Sequence, residues 1–189
     1  MKVDCIYMNR SPLSPPSLRE SAMRPGLGVA MFSNEELAGG KVKAFFDRVK
    51  IRDLYDVCNL ARYAEALSRE DEARFHKAVL YYASMSASFP HGFESRPDRF
   101  AGLRREYRDQ LVSMLRKGAE CDLDDLVRDA RRFIAEFVLP RDEPEREYLD
   151  RFAAGEYRPE LLFGQCEEAE RAALNPEALW KLQNIRKMG

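Results

Sequence analysis

The sequence is poor in the residues that build most metal and redox sites. It has 4 cysteines in 189 residues, at Cys5, Cys58, Cys121 and Cys166, with no Cys-x-x-Cys pair among them. Only His76 and His91 could join them as ligands, which argues against the common zinc patterns. Such scattered cysteines read as free thiols in a reducing cytoplasm rather than as a disulfide framework. No apolar run is long enough to span a bilayer. The start, "MKVDCIYMNR", lacks the apolar stretch of a secretory signal. An excess of one charge is also missing, because 31 basic and 32 acidic residues give a formal charge of -1. That removes a global basic surface for nucleic acid but leaves room for a local basic patch. No repeat of fixed period is present.

What remains is a composition with 45% hydrophobic and 33% charged residues, enough apolar material for a buried core. The length suits one domain, or one domain with an extension. "KVDCIYM" (2–8) reads as a strand, since Val3, Cys5 and Tyr7 alternate with Lys2, Asp4 and Met8. A lone strand leaves its backbone donors and acceptors unpaired, and "GVAMF" (28–32) is the segment best suited to pair with it. The proline- and serine-rich "NRSPLSPPSLRESAMRPG" between them reads as a loop.

From residue 33 onward the pattern is helical. Ser33 or Asn34 caps a helix whose first turn carries Glu35 and Glu36, with Leu37, Val42, Phe45 and Phe46 on its apolar side. After a break near "VKI" comes "RDLYDVCNLARYAEAL", where Leu54, Val57, Leu60 and Ala61 keep helical spacing. Ser68 caps a third helix with Phe75, Val79, Leu80 and Tyr82 as core candidates. "FPHGFESRP" is a loop. "RFAGLRREYRDQLVSMLRKG", "DLDDLVRDARRFIAEFVL" and "EPEREYLDRFAAG" follow as helices, then a short "PELL". The last helix is "NPEALWKLQNIRKM", capped by Asn175 with Pro176 at its first position and Trp180 packing its apolar face.

The charged residues carry two readings each. Lys41 follows two glycines inside a helix, where each glycine costs about 0.5–1 kcal/mol relative to alanine. That cost suits close approach of another helix or of a ligand. Lys41 is then either a solvated lysine or a point charge for phosphate. Lys43 is a weaker candidate for the same role, and a surface lysine suits it better. Asp53 and Asp56 lie three apart on one helix face. Asp53 is either a first-turn carboxylate at the positive helix end or a partner that orders Lys41. Asp56 is placed to pair with Arg52 four residues before it, and Arg52 can contact phosphate or hold a carboxylate. The arginines at 104, 105 and 108 and those at 128, 131 and 132 could track a nucleic-acid backbone, but they alternate with acids, which suits solvated faces laced by salt bridges better. Tyr81, Tyr82, Phe89 and Phe93 could stack bases, but core packing suits them better.

The stretch "EELAGGKVKAFFDRVKIRDLYDV" closely resembles the nucleotidyltransferase-like toxins of the AbiEii/AbiGii family, which carry a small-Gly-Lys step followed by Pro-Arg-Asp-Leu-(Phe/Tyr)-Asp. "KVDCIYMNRSPLSPP" upstream, and "EREYLDRFAAGEYRPELLF" and "NPEALWKLQN" downstream, are similar to other parts of the same family. Ile51 stands where the family usually has proline. The resemblance implies catalytic roles for Lys41 and Asp53, nucleotide binding by Lys41, Arg52 and Asp56, and a metal-ligand role for Asp4. It implies Mg2+ and a nucleoside triphosphate as cofactor and substrate, an RNA (tRNA) or protein hydroxyl as acceptor, a cognate antitoxin as partner, and a cytoplasmic place in phage defence by abortive infection. It also implies a polymerase-beta-like core bearing Gly-Ser and then Asp-x-Asp. No Gly-Ser occurs here, and the Asp-x-Asp at Asp122 and Asp124 opens a helix, where acids cap it.

The expected fold is therefore mainly α with a small β portion at the N-terminus, a helical bundle resembling the C-terminal part of such an α+β enzyme. Residues 1–32 would be a remnant of the nucleotidyltransferase sheet and 33–189 a helical domain. The expected function is that of a nucleotidyltransferase toxin or a fragment of one, inactive alone. The alternatives are a non-catalytic helical module that pairs with an antitoxin or a separate catalytic core, and an RNA-binding helical module.

Overall fold

A computed structural model describes residues 11–115 and 121–188. The strand expected at 2–8, and with it Asp4, lies outside the described residues. The β portion that is described is a hairpin of β1 (Ser17–Ser21) and β2 (Arg24–Met31), paired antiparallel with Leu18 opposite Ala30 and Arg19 opposite Val29. This corrects the sequence reading. The segment expected to be all loop supplies a strand, and β2 begins four residues earlier than "GVAMF". The hairpin escapes notice because its strands are largely exposed. Leu18 and Met23 stand in solvent, so no buried face imposes an alternating pattern.

The helices then follow their capping signals. α1 (Asn34–Asp47) starts where the Ser33 hydroxyl accepts the Glu36 N–H. α2 (Ile51–Ala64) begins without a side-chain cap, and Ile51 at its first position is fully buried. The core contact of Ile51 thus stands in for the fixed backbone that proline gives at that place. α3 (Arg69–Ser84) is capped by Ser68.

The run expected as one helix over 99–118 is broken. A 3-10 turn (Arg96–Phe100) is followed by α4 (Arg104–Glu106), a π turn (Tyr107–Leu111) and a second 3-10 turn (Val112–Met114). Little but Phe100 and Leu111 is buried there, so an amphipathic face that would hold a straight helix is lacking. α5 (Leu123–Phe137) opens on Asp122, whose carboxylate accepts the N–H groups of Asp124 and Asp125. The Asp-x-Asp pair is thus a helix cap. α6 (Glu143–Ala153), α7 (Glu160–Phe163), α8 (Glu167–Ala173) and α9 (Pro176–Met188) complete the chain. Asn175 Oδ1 accepts the N–H groups of Glu177 and Ala178, as expected of its cap.

The architecture is thus mainly helical with a small antiparallel sheet, an α+β chain. α1 packs on α3 and α2 on α5 around one aromatic core. Phe45, Phe46, Phe75, Phe100, Phe133, Tyr81, Tyr148 and Phe152 are all fully buried. Phe45 stacks on Phe100 with centroids 5.0 Å apart, which ties the 96–100 turn to α1. Tyr81, Tyr82, Phe89 and Phe93 are core residues and not an exposed stacking platform. Two apolar residues depart from expectation, because Leu37 and Trp180 are 48% and 64% exposed.

Candidate functional site

α1 and α2 are joined by three residues, so their facing sides meet in a hairpin. Asn34, Leu37, Ala38 and Lys41 form one stripe along α1, at helical spacing. Asp56, Asn59, Leu60 and Tyr63 form the matching stripe on α2. Together they line a cleft of about 230 Å³. Asn34 Nδ2 donates to the Tyr63 hydroxyl at 2.9 Å and closes one end. At the other, Lys41 Nζ lies 2.6 Å from Asp56 Oδ2. The two side chains keep 46% and 36% of their surface in solvent, so the pair is open to exchange with an incoming anion.

Asp53 is placed differently. Its carboxylate is buried and takes a two-pronged contact from Arg48, with Nε at 2.8 Å from Oδ2 and Nη2 at 3.0 Å from Oδ1. Arg48 is the residue that ends α1, held there by its N–H to the Ala44 carbonyl. The fork therefore ties the end of α1 to the first turns of α2. The carboxylate in turn holds the Arg48 guanidinium above its usual range, chiefly through the hydrogen bond.

The sequence-derived residues thus separate. Lys41 and Asp56 meet each other. Asp53 orders Arg48 and not Lys41. Arg52 is exposed on the Asp56 side of α2, one turn before it, yet Asp56 binds Lys41 instead of Arg52. Lys43 is not a surface lysine. Its ammonium is mostly buried and bridges Asp47 and Glu177, and those two partners overcome the burial that would lower its pKa. Sequence reasoning missed Arg48, Asn34, Asn59 and Tyr63. The spacing 56, 59, 63 continues the Asp56 face and could have revealed the last two. Arg48 gives no such signal, because it lies between helices.

The glycine before the motif has a packing reason. A Cβ on Gly39 would fall within the Tyr82 ring, so α1 and α3 approach closely only because residue 39 has none. The Tyr82 hydroxyl donates to Glu36 and Leu13 N–H donates to the same carboxylate at 3.1 Å.

The other candidates hold to packing and surface roles. Arg104 pairs with Asp124, Arg105 with Asp109, Arg128 with Asp125, Arg131 with Asp98 and Arg132 with Glu65. The three cysteines among the described residues are free. Burial pushes the Cys58 thiol up to about 12, and it donates to the Leu126 carbonyl, which leaves it unreactive.

A model of the nucleotidyl transferase AbiEii toxin family, of type IV toxin–antitoxin systems, matches residues 2–151. The chain belongs to this family. No curated protein and no solved structure matches. An AbiEii chain is a nucleotidyltransferase-like toxin in general class, and a type IV system implies a cognate antitoxin. Nucleotidyltransferases generally use a nucleoside triphosphate and a divalent metal. The described residues do not fit such a metal. Among them no group of three or more His, Cys, Asp or Glu converges, and Asp53 and Asp56 already hold cations. Asp4 lies outside the described residues. No helix among them is long and apolar enough to cross a membrane.

Proposed function

We propose that this chain supplies the phosphate-contacting side of a nucleotidyl-transfer site and does not carry out the transfer alone. The observation that carries the reading is the Lys41–Asp56 pair, half exposed in a cleft between two helices. Asp56 holds the ammonium in place until phosphate oxygens compete for it. Arg52 adds a fork-shaped donor on the same side. Asp53 acts through Arg48, fixing the angle at which α2 presents these groups. It is a positioning residue.

In nucleotidyl transfer an acceptor hydroxyl oxygen bonds to the α-phosphorus, the bridging bond to the β-phosphate breaks, and pyrophosphate leaves. Lys41 and Arg52 offset the negative charge of the nucleotide phosphates. The sequence holds no Gly-Ser followed by Asp-x-Asp, so the metal-binding carboxylates are assigned to a separate catalytic core. The acceptor hydroxyl is that of an RNA, such as a tRNA end, or of a protein, and the setting is the cytoplasm during abortive infection.

The test is incorporation of labelled nucleotide. The pure chain with Mg2+, nucleoside triphosphates and tRNA should give none. Adding a polypeptide with the Gly-Ser and Asp-x-Asp core should restore it, and Lys41→Ala should lower the restored rate about tenfold or more. Robust incorporation by the pure chain would falsify the reading.

A second reading rests on the hairpin. Leu18 and Met23 are 78% and 92% exposed, which suits a module that docks to an antitoxin or a core without contacting nucleotide. In that case Lys41→Ala would leave the restored rate unchanged.

A further inference from the structure

A second cleft lies away from Lys41. It has a volume of about 510 Å³ and lies between the C-terminal end of α1 and the 96–100 turn. Its lining includes Phe46, Asp47, Ser88, His91, Arg96 and Arg99. Arg96 is 4% exposed. Its Nε donates to the Phe45 carbonyl at 2.9 Å, while Nη2 is enclosed without any partner among the described residues. No carboxylate pairs with this guanidinium among those residues. A buried cation of that kind is costly unless an anion reaches it.

The acids nearby are already engaged. Asp47 holds Lys43 and accepts the Ala87 N–H at 2.7 Å. Asp98, also on the rim, holds Arg131 at 2.6 Å. Arg99 adds a second guanidinium on the rim, and no ion pair among the described residues occupies it. Burial and, less strongly, the nearby Arg99 push the Arg96 pKa down, against the smaller opposing pull of the Asp47 and Asp53 charges. Two neighbouring guanidiniums on one turn that repel each other are drawn together by a shared multivalent anion. The ring stack of Phe45 on Phe100 fixes the turn that carries both.

We infer that this cleft binds a phosphoryl group, with Arg96 at its floor and Arg99 and His91 at its rim. Forked guanidinium donors match phosphate oxygens, and the volume falls within the roughly 300–1,000 Å³ of small-molecule sites. The phosphoryl group comes from a free nucleotide or from a polynucleotide backbone. The inference does not depend on the role proposed for Lys41.

Binding of inorganic phosphate, AMP and a short RNA oligonucleotide should be measured by calorimetry on the full chain, at constant ionic strength set with chloride. Arg99→Ala, on an exposed residue, and Arg96→Lys should each weaken binding about tenfold. Circular dichroism should show both variants folded. Weakened binding of phosphate or AMP identifies a free phosphoryl ligand. Weakened binding of RNA alone identifies the backbone. Binding that is unchanged by Arg99→Ala but lost in Lys41→Ala overturns this inference and leaves the transfer-site reading standing. Absence of binding to all three probes overturns it as well.

Discussion

Two of the ion pairs that link helices among the described residues are built in opposite ways. His76 Nε2 on α3 lies 2.9 Å from Glu145 Oε2 on α6, and both side chains are buried. Lys41 on α1 and Asp56 on α2 are as close, but both face solvent. The buried pair is enclosed by further bonds. His76 Nδ1 donates to the Phe137 carbonyl at 3.1 Å, because a carbonyl can only accept. The Arg141 N–H donates to the same Glu145 oxygen at 2.6 Å. With Nδ1 donating, the Nε2 contact to a carboxyl oxygen needs one more proton shared between the two groups, so the pair acts as one hydrogen-bonded unit. Burial alone would raise the Glu145 carboxyl, yet the bonds from His76 and the Arg141 N–H outweigh it and hold it below the usual range. The comparison teaches that the first pair is enclosed by the fold while the second stands open to solvent.

The largest expected effect comes from breaking the enclosed pair. Glu145→Ala leaves a buried imidazole without its acceptor and should cost about 3–5 kcal/mol in urea unfolding. Replacing both partners, as His76→Leu with Glu145→Met, should recover most of that loss. Failure to recover would show that the bonds to Phe137 and Arg141 matter more than the charges. The pH dependence follows from the lowered Glu145 value. Its contribution is present above the ordinary glutamate range, near about pH 4–5, and is lost as pH falls through the lowered folded value. The stability gap between the native chain and Glu145→Gln should therefore shrink in acid.

Next in size is Gly39→Ala. In an exposed helix that change would stabilise by roughly 1 kcal/mol. Here the new Cβ meets the Tyr82 ring, so thermal unfolding should instead show a loss of about 1–3 kcal/mol. Arg48→Ala strands the buried Asp53 carboxylate and should cost about 1–3 kcal/mol. Asp53→Asn tests the same link from the other side, and the two losses should be far from additive in a double-mutant cycle. The smallest stability effect belongs to the exposed pair. Lys41→Ala should change stability by less than about 1 kcal/mol while lowering complemented transfer. A large stability loss there would erase the contrast between the two pairs.

Part of this was legible in the residue order. The caps at Ser33, Ser68, Asp122 and Asn175 mark the starts of helices that form there, because capping chemistry is local. Phe45, Phe46, Leu54, Val57, Phe75 and Val79 fall on buried faces because helical period and burial agree. The β hairpin was not legible, since exposed strands need no apolar alternation. The broken run at 104–114 was missed because its charges fit a helix as well as they fit turns. Within the candidate site, Lys41, Asp53 and Asp56 stood out through the family motif, whereas their partners did not. Asp56 takes Lys41 from another helix in preference to Arg52 on its own, and Asp53 takes Arg48 from the preceding linker.

The sequence by itself determined the helical class, the helix starts, the family and the charges of the α1–α2 hairpin. These depend on contacts within a few residues or on a contiguous motif. Only the tertiary structure decided which charges are fixed and which are free. His76 and Glu145 are 69 residues apart, and Gly39 and Tyr82 belong to different helices. Burial turns such distant pairs into structural links, and exposure leaves Lys41 and Asp56 available, because the strength of a charge pair is set by the solvent around it and not by the residues that make it.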